Sequence, residues 1–158
     1  MAARTKRDDQ ATARFVERFA GDLIDAGMPG MPSRVFAALL ASEDGSLTAT
    51  ELAEVLHSSP ASISNAVRYL MQVSMIRRER EPGSRRQRYR VDDNAWYEGL
   101  LQREQLLFRW IASLDQGLGA VGPATPAGHR LGESRDFLVY LADEMPKLLA
   151  RWRADRGS

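Results

Sequence analysis

The chain has no cysteine and only two histidines in 158 residues. The first absence excludes a disulfide framework, thiolate metal sites and cysteine nucleophiles. The second leaves too few imidazoles for a histidine-rich metal centre, and no metal or cofactor is expected. No apolar run approaches the roughly 18 residues that a membrane-spanning helix needs. The N-terminal MAARTKRDDQ is polar and leads into no apolar signal core, so no membrane is implied and the expected compartment is cytoplasmic. No GxxxxGK, GxSxG or HExxH pattern occurs, so no catalytic residues are assigned and an enzyme is not expected.

Charge of one sign is scarce overall and concentrated locally. The net charge is +1. Between Arg68 and Arg90 stand eight arginines (68, 77, 78, 80, 85, 86, 88 and 90), with Glu79 and Glu81 the only acids. Eight minus two gives this stretch +6, which leaves −5 for the rest of the chain. A basic stripe on an otherwise acidic chain is the electrostatic footprint of polyanion binding.

The hydrophobic pattern is mostly helical. After a tail over 1–8 that reads as disordered, a helix is expected over 9–26, with Phe15, Phe19 and Leu23 spaced by four. Ser33 is a plausible N-cap for a helix over 34–42. A short extended segment, Ser46-Leu47, precedes Thr48, which begins a Thr-x-x-Glu capping box with Glu51. The helix that follows, 49–56, is expected to face Leu52, Val55 and Leu56 inward. His57-Ser58 forms a tight turn; His57, at a helix C-terminus, reads as structural or as a phosphate contact. Ser59 caps the next helix and Pro60 occupies its first turn. That helix buries Ile63, Val67 and Leu70 and presents Ser62, Asn65, Arg68 and Tyr69 on the opposite face.

Two short helices joined by a tight turn, the second showing Ser, Asn and Arg, make a helix-turn-helix candidate. Directly after it, 75–80 and 86–91 read as paired strands around a Pro82-Gly83-Ser84 turn. A hairpin in this place is a wing, with Arg85 and Arg86 at its tip and Arg88 in its return strand. Its charge and reach suit phosphates or a minor groove.

Beyond 92 the chain is helical: one helix to about Leu118, a Gly/Pro/Ala-rich loop over 117–128 with His129 as a surface or cap residue, and a last helix over 131–154 that Pro146 should kink or restart. The fold class is therefore mainly α with a small β-hairpin wing: a winged helix-turn-helix lobe over 31–91, with helices at 9–26 and 92–154. Those outer helices carry more apolar stripe than a small lobe can cover. Phe15, Phe19, Leu23, Leu107, Ile111, Leu141, Leu148 and Trp152 are expected at a homodimer interface, and two-fold symmetry suits a pseudo-palindromic duplex. The competing reading is a winged helix whose basic stripe docks an acidic protein partner.

Three segments, MPSRVFAALL (31–40), LTATELAEVLHSSPASISNAVRYL (47–70) and REREPGSRRQRYRVDD (78–93), stand in an order that resembles the MarR family of bacterial regulators, especially its GbsR-like branch. The resemblance covers about 9–154. It implies a homodimer on double-stranded DNA, with Ser62, Asn65 and Arg68 facing bases, Ser59 and Ser64 near phosphates, and Arg86 or Arg85 at the wing tip. Pro-Gly-Ser-Arg-Arg replaces the acidic-x-Arg wing signature common in the family. Many such regulators sense a small-molecule effector between lobe and dimer helices. Phe36, Trp96, Tyr97 and Trp110 are the residues that would line that pocket here, although aromatic stripes are more often core.

Overall fold

The structure, a computed structural model, describes residues 8–157, apart from the side chains at 97–98 and 100–103. The order of elements is α1 (Asp9–Asp25), α2 (Gly30–Ala41), β1 (Ser46–Thr48), α3 (Ala49–Leu56), α4 (Pro60–Gln72), β2 (Ile76–Arg80), β3 (Gln87–Val91), α5 (Ala95–Val121) and α6 (Pro126–Arg156). The chain divides into two compact units, Met1–Glu98 and Gly99–Ser158, and α5 crosses the division.

The first unit is built around α2. Its Val35, Phe36 and Leu39 are fully buried, and they meet Leu52 and Leu56 of α3 and Ile63, Val67 and Leu70 of α4 in one core. Each such side chain removed from water contributes about 1.5–3 kcal/mol. Val16 and Ala20 of α1 close the same core. Asp8 caps α1, its carboxylate accepting from the Ala11 amide at 3.0 Å; the rest of the tail expected over 1–8 lies outside the described residues. Two expectations fail on these helices. Ser33 is not an N-cap. It lies inside α2, and its hydroxyl donates back to Pro29 O at 2.8 Å, because α2 starts at Gly30 and accommodates Pro32 in its first turn. Val55 faces outward at 54% exposure, since an eight-residue helix turns only Leu52 and Leu56 onto α2 and α4.

The sheet has three strands in the order β1-β3-β2, all antiparallel. The wing hairpin is thus not alone: β1 pairs with β3 through Ser46↔Arg90, Leu47↔Tyr89 and Thr48↔Arg88. Tyr89 is buried at the centre of both ladders and anchors the sheet on the core.

The second unit is a helical hairpin. The loop expected over 117–128 shrinks to 122–125. Gly122 takes φ +85, and Thr125 caps α6 by accepting from the Gly128 amide at 3.0 Å while donating to Val121 O and Gly122 O. Gly128 is buried where a Cβ would collide with Gly122 O and the Pro123 backbone. The small residues therefore permit a tight corner instead of a long loop. Pro146 stands within a continuous helix and does not restart it.

Candidate nucleic-acid interface

The turn between α3 and α4 is fixed locally from both sides. His57 takes the left-handed conformation (φ 50, ψ 46) that ends α3, and its amide donates back to Ala53 O and Glu54 O. The Ser58 amide bonds Ala53 O at 3.1 Å. Ser59 Oγ then accepts from the Ser62 amide at 3.2 Å and donates to Ser62 Oγ at 2.9 Å, with Pro60 at the first helical position. On α4 the buried seam of Ile63, Ala66, Val67 and Leu70 leaves an exposed stripe of Ser64, Asn65, Arg68 and Gln72. Gln72 belongs to this stripe by its spacing of four from Arg68, a signal present in the sequence. Ser62 and Tyr69 are half-buried; Ser62 is engaged by Ser59, and Tyr69 packs against the core.

The wing tip spans 81–86. Glu81 and Arg86 close it (Glu81 N to Arg86 O, 3.0 Å), Ser84 Oγ accepts from the Arg86 amide at 3.0 Å, and Gly83 supplies φ +73. Arg85 and Arg86 are exposed.

The eight arginines separate into two groups. Arg88 is clamped within the protein. Its guanidinium donates to Ser46 Oγ and Ser46 O, both at 3.2 Å, reaches Glu51 at 3.5 Å, and lies 3.9 Å from Asp44 and Glu81. Arg88, expected among the DNA contacts, ties β3 to β1 and α3 through this guanidinium. Arg90 donates to Glu79 at 2.8 Å and to Asp44 O at 2.7 Å, and Arg77 pairs with Glu79 at 3.3 Å. The hydrogen bond from Arg90 holds the Glu79 carboxyl below its ordinary value. Arg78 lies over the Tyr89 ring at 5.9 Å. The remaining four, Arg68, Arg80, Arg85 and Arg86, are exposed and make no ion pair among the described residues. Charge without an ion pair among the described residues therefore sits on α4 and along the wing, Arg78 over its ring included, while Arg77, Arg88 and Arg90 are paired with acids. Those acids lie at positions 44 and 51 as well as 79 and 81, so the pattern was invisible within the stretch 68–90.

Arg34 was missed by the sequence reading. It bonds Glu17 of α1, Leu56 O at 3.0 Å and Ser58 Oγ at 3.3 Å.

Of the expected effector-pocket residues, Phe36 and Trp96 lie in the first unit and Trp110 in the second. Phe36 is fully buried and meets the Trp96 ring edge-on at 5.6 Å, so it belongs to the core. Trp96 also meets Phe19 at 6.2 Å. The Tyr97 side chain lies outside the described residues, and Trp110 is half exposed in the second unit. Of the expected interface residues, Phe15 stacks on Phe19 at 5.6 Å and is about half exposed, while Leu23 is half-buried against the lobe core. Leu107 is buried, Ile111 and Leu141 are half-buried, and Leu148 and Trp152 are exposed. Gly117, Gly119 and Gly122 stand at the Gly-x-Gly-x-x-Gly spacing of a dinucleotide cradle. That motif works only between a strand and a helix start, whereas here it falls at the end of α5.

Together these elements define a winged helix-turn-helix lobe followed by a helical hairpin, the architecture of a DNA-binding regulator. Comparison with known proteins agrees. The MarR family model matches residues 26–87, and the model of MmpR5-like MarR family transcriptional regulators matches residues 94–155. The HTH-type transcriptional regulator MmpR5 of Mycobacterium tuberculosis (strain ATCC 25618 / H37Rv) is 31% identical over 144 residues, covering 90% of this chain and 87% of that protein. A crystal structure described as a transcriptional regulator superposes with a TM-score of 0.73 at 30% identity, over 91% of this chain and 99% of that one. The chain belongs to the MarR family of transcriptional regulators. Its function is DNA-binding control of transcription, not catalysis. These matches specify no GbsR-like branch; the C-terminal helices match the MmpR5-like description instead.

Proposed function

We propose that the protein acts in the cytoplasm as a homodimer on a pseudo-palindromic operator, with α4 in a major groove and the wing tip at the adjacent minor groove. The observation that carries this reading is the sorting of the arginines: those without an internal partner lie on α4 and the wing. Asn65 and Arg68 would read base edges, Ser59 and Ser64 would approach phosphates, and Arg85 and Arg86 would supply the wing contact. Ser62 and Tyr69, both half-buried, would act through the shape of the helix. Half-sites would lie roughly one helical turn, about 10 bp, apart.

Dimerisation is supported by the exposed apolar side chains of the second unit, among them Phe108, Trp110, Phe137, Tyr140, Leu148 and Trp152. A small-molecule effector would act by favouring one spacing of the two lobes, and only by its differential affinity for the two spacings.

The test is binding of Arg68→Ala and of an Arg85→Ala/Arg86→Ala double variant. Arg68→Ala is expected to lose about 1–3 kcal/mol on the preferred duplex and less on random DNA. The double variant should lower the salt slope by about 0.9 for each phosphate contact removed. Equal loss on both duplexes would demote Arg68 to a phosphate contact, and an unchanged slope would refute the wing assignment. The rival, an acidic protein partner on the same stripe, predicts no selective duplex binding by the wild type.

A further inference from the structure

We propose that Arg34 is a positioning residue for the recognition helix: it ties the α3–α4 turn to α1, so that α4 meets the groove in one orientation. The proposal rests on the reading of α4 given above. Arg34 projects from α2, between the buried Ser33 and Val35. Its Nε and Nη2 grip the Glu17 carboxylate of α1 at 3.0 and 2.7 Å. The same Nη2 reaches Leu56 O at 3.0 Å, and Nη1 reaches Ser58 Oγ at 3.3 Å. Ser58 Oγ in turn donates to Leu56 O at 3.1 Å. One planar guanidinium thus joins three segments: α1, α2 and the turn immediately before Ser59, the cap of α4.

Leu56 O is among the last carbonyls of α3, which have no partner inside their own helix. Arginine suits the position because its rigid fork offers five donors in a plane, whereas a lysine could satisfy only part of the set. Glu17 is well exposed, so the pair contributes little through charge alone. What the arrangement provides is orientation. Phosphate attraction is long-ranged and tolerates a tilt of α4; base-edge hydrogen bonds do not. Loss of the clamp should therefore reduce discrimination and leave non-specific binding intact.

The experiment selects a preferred duplex from a random library with the wild-type protein. Its affinity and that of a scrambled duplex are then measured over a salt series for the wild type, Arg34→Gln, Arg34→Lys, Glu17→Ala and the Arg34→Gln/Glu17→Ala double variant. All measurements are made well below each protein's Tm. Arg34→Gln should weaken the selected duplex about tenfold, the size of one misplaced base contact. Scrambled DNA should change within about twofold, with an unchanged salt slope. Arg34→Lys should fail to restore discrimination although it keeps the charge. Glu17→Ala, which lies on α1, should show the same signature more weakly, and the double variant should lose no more than Arg34→Gln alone. A lower Tm with both affinities unchanged would overturn the proposal, leaving a purely structural ion pair. Equal loss on both duplexes with a shallower salt slope would also overturn it, since Arg34 would then touch phosphate itself. If the wild type selects no sequence, the DNA reading fails and the proposal with it. If the wild type selects and the variants match it, only the proposal fails.

Discussion

In the first unit the large apolar side chains are covered: Phe36, Leu39, Leu52, Leu56, Ile63 and Leu70 are buried in a single cluster. In the second unit Phe137, Tyr140, Leu148 and Trp152 are all more than half exposed, and α6 buries only Gly128 and Ala142. The lobe closes its own core, while the helical hairpin leaves several large apolar side chains exposed among the described residues. The difference teaches a division of labour. The lobe can hold a DNA-reading surface as a self-supporting body, and the hairpin presents apolar side chains that the proposed second copy would cover.

The largest effect should come from placing charge among those side chains. Leu148→Asp with Trp152→Asp is expected to cost roughly 4 kcal/mol of self-association, as two interface anchors at about 2 kcal/mol each would. Light scattering should report a monomer, and affinity for a palindromic duplex should fall to that of one half-site. A dimer that survives both changes would mean that the exposed stripe of α6 is covered by something other than a second copy.

Within the lobe the contrast can be drawn on one helix. Leu56→Ala should cost about 2–5 kcal/mol in denaturant unfolding, and Val55→Ala, one residue away, less than about 0.5 kcal/mol. Comparable losses at the two positions would contradict the burial of one and the exposure of the other. At the hairpin corner, Gly128→Ala should cost about 1–3 kcal/mol, because its Cβ would meet backbone atoms of Gly122 and Pro123 that cannot swing aside. A neutral result would mean that the corner is looser than this geometry.

Which of these features the sequence foreshadowed follows from the range of the forces involved. Thr48, Ser59 and Pro60 act on their own neighbours, so the bounds of α3 and the start of α4 were legible to the residue. The wing strands, expected over 75–80 and 86–91 around the Pro-Gly-Ser turn, each begin one residue later, at Ile76 and Gln87. Val55 was misassigned because three apolar positions in one short helix compete for two buried sites, and only the packed neighbours decide. The glycines at 117–128 suggested a loop because glycine is flexible. In fact Gly117 approaches Leu131 of α6, and Gly128 approaches Gly122 across the corner, contacts that depend on how the two helices pack and not on glycine's flexibility. The same holds for the site. The exposed stripe of α4 followed from helical periodicity. That Arg88 is clamped and Arg86 is not depends on Ser46, Asp44 and Glu51, some forty residues upstream.

The smallest effect concerns that clamped seam at the wing base and separates it from the free tip. Glu79 accepts from Arg90 at 2.8 Å and pairs with Arg77, and the Arg90 hydrogen bond keeps its carboxyl below the ordinary 4.5. A carboxyl depressed in the folded state stabilises the fold above its unfolded value and loses that contribution as pH falls through the folded value. Stability should therefore decline on the acid side, below about pH 4.5, through this pair among other carboxylates. Glu79→Gln keeps an oxygen that can accept from Arg90 but removes the titration, so the variant should show a shallower acid-side decline than the wild type. The difference between the two proteins, measured by unfolding between about pH 6 and about pH 3, isolates the pair from the other carboxylates. Identical slopes would mean that Glu79 and Arg90 are not paired in solution. The wing base would then carry free arginine charge, and the distinction between a neutralised base and a charged tip would collapse.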